Sequence, residues 1–274
     1  MAKKDVRRST IAGSWYPGSR ERLKEAVDRF LANAGSGQIE GELAGLIAPH
    51  AGYQYSGQVA AYAYVELQGR EYEKVVLLAP SHRAYVGEFA VTSYAYYETP
   101  LGLVPVDSDL VAQLEVQIPL NKTDENLEHA LEIQLPFLQR TLGEFSLLPI
   151  LMGGQSWASC QKLSEGLAKI LPGQNALLVA STDLSHFKDY QTAVELDKKV
   201  LARIEAFDPE GLSQDLEARK CEACGGGPVL ATMLAARALG ADKAKVLEYK
   251  NSGDVTGDKY RVVGYAAGVV YKTK

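Results

Sequence analysis

Five short apolar runs, LAGLIAP, EKVVLLAP, FSLLPILMG, ALLVASTD and RVVGYAAGVVY, punctuate the chain, and helical patterns separate them. Each run has the length of a strand, is rich in branched residues and is bounded by turn formers. Runs that are apolar at consecutive positions suit strands buried on both faces, because a half-exposed strand would alternate. Between them lie SRERLKEAVDRFLANAG, SGQVAAYAYVELQG, HALEIQLPFLQRTLG, SCQKLSEGLAKILPG, TAVELDKKVLARIEAF and PVLATMLAARALG. The first opens on a Ser suited to an N-cap and stops at Gly35. Strands alternating with helices predict an α/β sheet covered on both faces. EFAVTSYAYYETPLGLVPVD differs: its alternation and its Thr-Pro-Leu-Gly turn predict an antiparallel hairpin on the sheet edge.

There is no internal repeat and no low-complexity segment. IEAFDPEGLSQDLEARKCEACGGG has the composition of a boundary, but too little chain follows it for a second domain, so 1–274 reads as one domain. A net charge of −5 without any dense basic run argues against nucleic-acid binding. KKDVRR reads as a solvated tail. MAKKDVRRST is charged and no apolar stretch follows it, so no secretory signal is expected, and no run approaches the ~18 apolar residues of a membrane span. Three cysteines in 274 residues make no disulfide framework, which leads to the expectation of a reducing, cytoplasmic setting.

The chain has only four histidines, and all stand at element ends. His50 follows LAGLIAP, His82 follows EKVVLLAP with Ser81 between them, and ALLVASTD runs on to Asp183 and His186. Sites in open α/β sheets form at the carboxyl ends of strands, so three such ends predict one shared crevice. His129 lies in NLEHALEIQLPFL at a helix start, flanked by Glu128 and Glu132. A single histidine is most often a hydrogen-bonded residue at a core edge. Four beside Pro, Ser, Gly or acidic residues point to a shared metal or acid/base site.

Cys221 and Cys224 have CxxC spacing in CEACGGGPVLATMLAARAL, where Pro228 suits the first helical position. A redox pair, half of a zinc site, and a single functional cysteine compete; no second CxxC completes a Cys₄ site. The single functional cysteine ranks first, and a position just before a helix N-terminus makes Cys224 the candidate, with its thiolate stabilised by the oriented amides. Cys160, inside an amphipathic helix, reads as inert. YKNSGDVTGDKY is a polar glycine loop, either a turn whose Asp side chains bond their own backbone or a crevice rim carrying Ser252 and Asp254. In AGSWYPGS, Trp15 and Tyr16 are core aromatics or exposed ones before the first helix.

Taken in order, AGSWYPG, APHAGYQYSG, APSH, EHALEIQLPFL, STDLSH, CGGGP and SGDVTGD closely resemble the Memo-like proteins, from about Ala12 to Gly268. The resemblance implies one three-layer α/β/α domain with a mostly parallel or mixed central sheet, similar to the class III extradiol dioxygenases. It implies a metal held by His50, His82 and Cys224. It places Asp183 and His186 in the same pocket, His186 resembling the dioxygenases' catalytic base, with His129 also facing it. Trp15 and Tyr55 match aromatics at the pocket mouth, which in animal members is associated with phosphotyrosine peptides and cell motility. Prokaryotic members often occur beside a radical-SAM protein, which implies a shared pathway.

Two departures matter. The iron dioxygenases present two His and a carboxylate, whereas CGGGP offers a thiolate, which favours copper(I), zinc or thiolate-ligated iron. Ala130 stands where many relatives have Ser. Fold resemblance assigns no ring-cleaving activity. The leading reading is a metal-dependent oxidoreductase using iron or copper, with zinc a further option, and with Asp183, His186 and His129 as proton-transfer groups for an unknown small molecule. The alternative is a binding module that recognises a peptide or protein with Trp15, Tyr53 and Tyr55 as anchors. A hydrolase using metal-bound water is a third reading.

Overall fold

The apolar runs become strands of one mixed sheet in the computed structural model, which describes residues 5–124 and 127–274. The chain begins β1 (Val6–Arg7), α1 (Arg20–Ala34), β2 (Glu42–Ala48), α2 (Tyr53–Tyr64), β3 (Lys74–Pro80), β4 (Phe89–Thr92), β5 (Tyr96–Thr99) and β6 (Gly102–Pro105). It continues with α3 (Ser108–Gln117), β7 (Asn121–Thr123), α4 (His129–Glu132), α5 (Leu135–Thr141), β8 (Ser146–Met152), α6 (Trp157–Ile170) and β9 (Ala176–Ser181). It ends with β10 (His186–Lys188), α7 (Tyr190–Glu205), α8 (Pro209–Glu217), α9 (Gly226–Ala238), β11 (Lys243–Asn251), α10 (Ser252–Thr256) and β12 (Val262–Lys272).

Among the described residues the main sheet runs β10-β12-β2-β9-β3-β8-β4-β7, with β11 on β12. Its centre, β2-β9-β3-β8, is parallel, while β12 is antiparallel to β2 and β4 to β8. Both faces are covered, as the unbroken apolar runs require. Successive side chains of a strand point to opposite faces. Accordingly, Val75, Leu77 and Ala79 pack with Leu23 and Val27 of α1, Val59 of α2 and Phe137 of α5. Val76 and Leu78 pack with Leu110 of α3, Leu163 of α6 and Val229 and Met233 of α9. This is the three-layer α/β arrangement expected from the sequence. Among the described residues no helix is long and apolar enough to cross a membrane.

The local signals fare unevenly. Ser19 caps α1 by accepting from the Arg22 N–H, and Gly35 ends it with φ 87°. HALEIQLPFLQRTLG divides into α4 and α5, with Pro136 in the first turn of α5, where a missing N–H costs nothing. β5 and β6 form the expected antiparallel hairpin. It does not extend the main sheet edge, however: it makes a separate three-stranded sheet with β1, and β4 from the same stretch pairs with β8 and β7. YKNSGDVTGDKY is mostly not a loop, since it ends β11 and then forms α10. Pro228 is the third helical residue of α9, not the first.

The expectation of a solvated KKDVRR tail is overturned at Val6 and Arg7; Met1–Lys4 lie outside the described residues. Arg7 pairs β1 with β5 and is 1% exposed. Its guanidinium donates to Glu132 Oε2 and the Glu128 carbonyl, both at 2.7 Å. Glu132, fully buried, also accepts from the Ser9 hydroxyl at 2.6 Å, the Tyr16 hydroxyl at 2.7 Å and the Thr10 N–H at 3.1 Å. Burial opposes ionisation of this carboxyl, but Arg7, Ser9 and Tyr16 outweigh it and hold Glu132 below the usual carboxylate range. The charge pattern that looked like a tail is half of a buried ion pair, and its partner lies 125 residues away.

Removing Arg7 leaves a buried carboxylate without its cation. Arg7→Ala is therefore expected to lower the unfolding free energy by ~3–5 kcal/mol in urea titrations at pH 7. The stability this carboxylate contributes is complete above its unfolded pKa of ~4.3 and is lost as pH falls through the lower folded value. A change under ~1 kcal/mol at pH 7, the size typical of an exposed pair, would contradict this assignment.

Candidate metal centre

Three strand ends meet because β9 lies between β2 and β3 and runs parallel to both. Ala48 pairs with Ser181 and Leu78 with Ala180, so the strands end almost level. His50 leaves β2 two residues after Ala48, His82 leaves β3 two residues after Pro80, and Asp183 leaves β9 two residues after Ser181. His129 arrives from α4, over the same strand ends. The imidazole centroids lie 5.1 Å (His50–His82), 5.4 Å (His50–His129) and 5.0 Å (His82–His129) apart. The sequence expectation of one shared crevice matches this geometry.

Cys224 completes the cluster. Its Sγ lies 3.1 Å from His50 Nε2 and accepts the Asp183 N–H at 3.2 Å. Gly225 makes the approach feasible: a Cβ there would fall 2.3 Å from the Ser181 carbonyl oxygen and 2.8 Å from Thr182 Cβ, so only glycine lets this backbone lie against the end of β9. Each of His50, His82 and Cys224 offers a donor atom within 4.8 Å of the others. Donors on a tetrahedral ion sit ~3.3–3.6 Å apart, so small adjustments suffice. His82, Glu128 and His129 form a second set within the same limit.

The far nitrogen of each candidate imidazole ligand is engaged. His50 Nδ1 lies 3.0 Å from Ser181 Oγ. His82 Nδ1 lies 3.0 Å from Glu128 Oε1, and the His82 backbone N–H donates to Glu128 Oε2 at 2.6 Å. This occupies Nδ1 and leaves Nε2 of both rings for the shared space, the arrangement that metal-binding histidines use. Burial, then the neighbouring His82, lowers His50 to about 3, so its ring is neutral at pH 7. Burial and His50 likewise lower His129. Burial opposes ionisation of Glu128, but hydrogen bonds from His82 and Ala130 outweigh it and keep the carboxylate charged. Two imidazoles and a thiol, with the ionised Glu128 carboxylate behind His82, are a donor set that fits a soft or borderline cation.

Other expectations need revision. The amides at the start of α9 do not outweigh burial at Cys224: Gly225 N–H, which favours the thiolate, is shared with Thr182 Oγ1, while Gly226 N–H donates to the Ala223 carbonyl and Gly227 N–H to Gln155 Oε1. Burial and the nearby Asp183 push the thiol well above its ordinary value. The Asp183 carboxylate makes its close hydrogen bond to backbone, not to an imidazole. Its Oδ1 accepts the His50 backbone N–H at 2.8 Å, and its Oδ2 stays 4.0 Å from His50 Nε2. Burial raises its carboxyl. Cys160, Cys221 and Cys224 are free thiols.

A cavity of about 500 Å³ opens over the histidines, lined by Trp15, Tyr55, His129, Asp183, His186 and Phe187 among others. Trp15 packs on His129 at 4.2 Å between centroids, and Tyr55 is 37% exposed at the mouth. Ser252 and Asp254 are not among the lining residues. Ser252 Oγ accepts the Val263 N–H, and Asp254 closes a capping box with Asn251 at the start of α10. Tyr53 is buried with its hydroxyl on the Ile133 carbonyl, so it cannot be a surface anchor. His186 borders this cavity and a second one of about 700 Å³ that Cys221 and Cys224 line. Asp189 caps α7 by accepting the Thr192 N–H. The sequence reading missed Glu128 as the partner of His82 and Ser181 as the partner of His50. Both lie inside quoted motifs, EHALE and STDLSH, but neither residue type announces whom it will meet.

A thiol that burial keeps protonated reacts slowly. In chelator-treated protein, Cys224 is expected to alkylate more slowly at pH 7 than in the unfolded chain, where its pKa is ~8.5, and to accelerate as pH rises beyond that value. Peptide mapping after timed iodoacetamide exposure checks this; rapid labelling of Cys224 at pH 6 would contradict it.

A family model described as Memo-like protein matches residues 7–269. A MEMO1 family protein of Nitrosopumilus maritimus is 36% identical over 270 residues, covering 96% of this chain and 98% of its own. Those of Methanosarcina mazei, 37% identical over 270 residues, and Aeropyrum pernix, 37% over 277, cover 97% and 96% of this chain and 99% and 98% of their own. Among solved structures, an uncharacterized protein of Escherichia coli K12 has a TM-score of 0.54 at 13% identity, covering 83% of this chain and all of that one, a likeness of fold alone. The motifs, the geometry of the strand ends and these matches agree: the chain belongs to the Memo-like protein family.

Proposed function

We propose that this chain is a metal-dependent oxidoreductase whose single ion is held by His50, His82 and Cys224. The observation that supports it most is the pairing of two imidazoles, each engaged at Nδ1, with a thiol 3.1 Å from the free nitrogen of one of them. Iron or copper suits this donor set best, with zinc as the redox-inactive option. The ion, when bound, would supply Lewis acidity and, for iron or copper, electron transfer. The chain's own residues do the rest. A small molecule fits the cavity of about 500 Å³, within the ~300–1,000 Å³ usual for such sites. Trp15 and Tyr55 offer it flat apolar walls.

His186 is the proton acceptor in this reading. Its Nδ1 donates to the Leu184 carbonyl at 2.8 Å, since a carbonyl only accepts. In the neutral ring its Nε2 therefore carries the lone pair, and the side chain lines the cavity without belonging to the ligand set. His129 and Asp183 are further groups that can hold a proton beside the same space. A second reading, a peptide-binding module, draws support from the exposed aromatics Tyr55 and Phe187 at the mouth. It does not require the engaged imidazoles.

Metal content separates the roles. After anaerobic loading, the wild-type chain is expected to hold one ion, and His186→Ala to hold the same amount within measurement error. Cys224→Ser should lose it under dialysis. Because binding must displace the thiol proton, the wild-type chain should also release about one proton per ion, with affinity rising as pH rises, and Cys224→Ser should release none. Elemental analysis and pH-stat titration read both. A metal-free His186→Ala together with a metal-replete His82→Ala would reverse the assignment.

A further inference from the structure

Behind the three strand ends, Gln134 is buried against Pro49 and Ser181. Its Oε1 accepts the Tyr64 hydroxyl at 2.9 Å. Its Nε2 donates to the Pro49 carbonyl at 3.0 Å and to Ser181 Oγ at 2.8 Å. The Pro49 carbonyl can only accept, so the amide must present its nitrogen there. Ser181 has one hydroxyl proton, and it goes to the Ala130 carbonyl at 2.7 Å, which also can only accept. Gln134 fills one of the two lone pairs of Ser181 Oγ. The remaining partner is His50 Nδ1 at 3.0 Å. Ser181 has no proton left to give, so that bond forms only if His50 Nδ1 carries the hydrogen.

We propose that Ser181 and Gln134 are positioning residues that lock His50 in its Nδ1–H tautomer, so that the Nε2 lone pair points permanently at Cys224 Sγ, 3.1 Å away. The proposal rests on the reading of His50 as a metal ligand and assigns parts to two residues outside the ligand set. The lock works against the intrinsic preference of a neutral histidine, which places its proton on Nε2. The same Gln134 amide grips the carbonyl of Pro49, the residue before His50, so ring and backbone are held by one side chain. Ser181 in turn ties this assembly through Ala130 to α4, which carries His129. Three of the elements that build the centre thus share one buried hydrogen-bonded group of atoms.

The test is direct. In the chain labelled with ¹⁵N-histidine and stripped of metal, multiple-bond ¹H–¹⁵N spectra at pH 7 assign the protonated nitrogen of each neutral ring, and loss of signals in His50→Asn identifies His50. The wild-type spectrum is expected to show a protonated Nδ1 and a bare Nε2 at His50. Ser181→Ala should move the proton to Nε2 and weaken zinc binding ~10–100-fold in competition with a chromophoric chelator, the usual cost of losing a ligand's hydrogen-bond partner. Ser181→Thr keeps the hydroxyl and should restore both readouts. Gln134→Leu frees Ser181 to turn and should give a mixture of tautomers. A wild-type His50 protonated on Nε2 overturns the proposal without recourse to any variant, and so does an unchanged tautomer in folded Ser181→Ala. If the tautomers follow this pattern but no form binds metal, the lock stands and the metal reading fails.

Discussion

Everything in the candidate centre depends on β9 running parallel between β2 and β3. Parallel neighbours put their carboxyl ends on the same edge of the sheet, and this edge is where α/β folds make their sites. Here that rule does more than place a cleft. It brings His50 and His82, which are 32 residues apart, to within 5.1 Å of each other, with Ser181 and Asp183 beneath them. Reversing β9 would remove Ser181 from His50 and the Asp183 amide from Cys224. The apolar cores on the two faces fix the order of the strands, and thereby fix the chemistry at their ends.

Around this edge the protein places buried polar groups in matched sets. Glu132 receives Arg7, Ser9, Thr10 and Tyr16, and so fastens the N-terminal segment to α4. Glu128, on the same turn, receives two bonds from His82. About two turns of chain, from Glu128 to Gln134, therefore serve the stability of the fold, the aim of one imidazole and the proton of another. Such groups cost free energy when left unpaired. Their pairing makes the strand ends rigid enough to present a defined set of donors.

The architecture and the ligand candidates were legible in the sequence because both have local signatures. Consecutive apolar residues mark a buried strand, and a histidine after Ala-Pro or Pro-Ser marks its end. The failures share one cause. Arg7 in KKDVRR has the composition of a tail, and nothing nearby in sequence reveals Glu132 as its partner. The Cys224 thiol stands beside a helix start as expected, but Thr182 shares the Gly225 amide, Ala223 and Gln155 take the next two, and burial outweighs what remains. Ser252 accepts the Val263 N–H of β12, and Asp254 is shared between the Asn251 N–H and the Tyr190 hydroxyl of α7. Hydrogen-bond partners distant in sequence decide each of these cases. The same holds for Ser181 and Gln134, whose importance appears only once the donors and acceptors around them are counted.

The proposed centre has two imidazoles and one thiolate sharing an ion at the carboxyl edge of this sheet. X-ray absorption at the zinc edge of the zinc-loaded chain measures that shell directly. One sulfur at ~2.3 Å and two imidazole nitrogens at ~2.0–2.1 Å are expected, with the sulfur component absent in Cys224→Ser. A shell of oxygen and nitrogen alone in the wild-type protein, unchanged by Cys224→Ser, would contradict it.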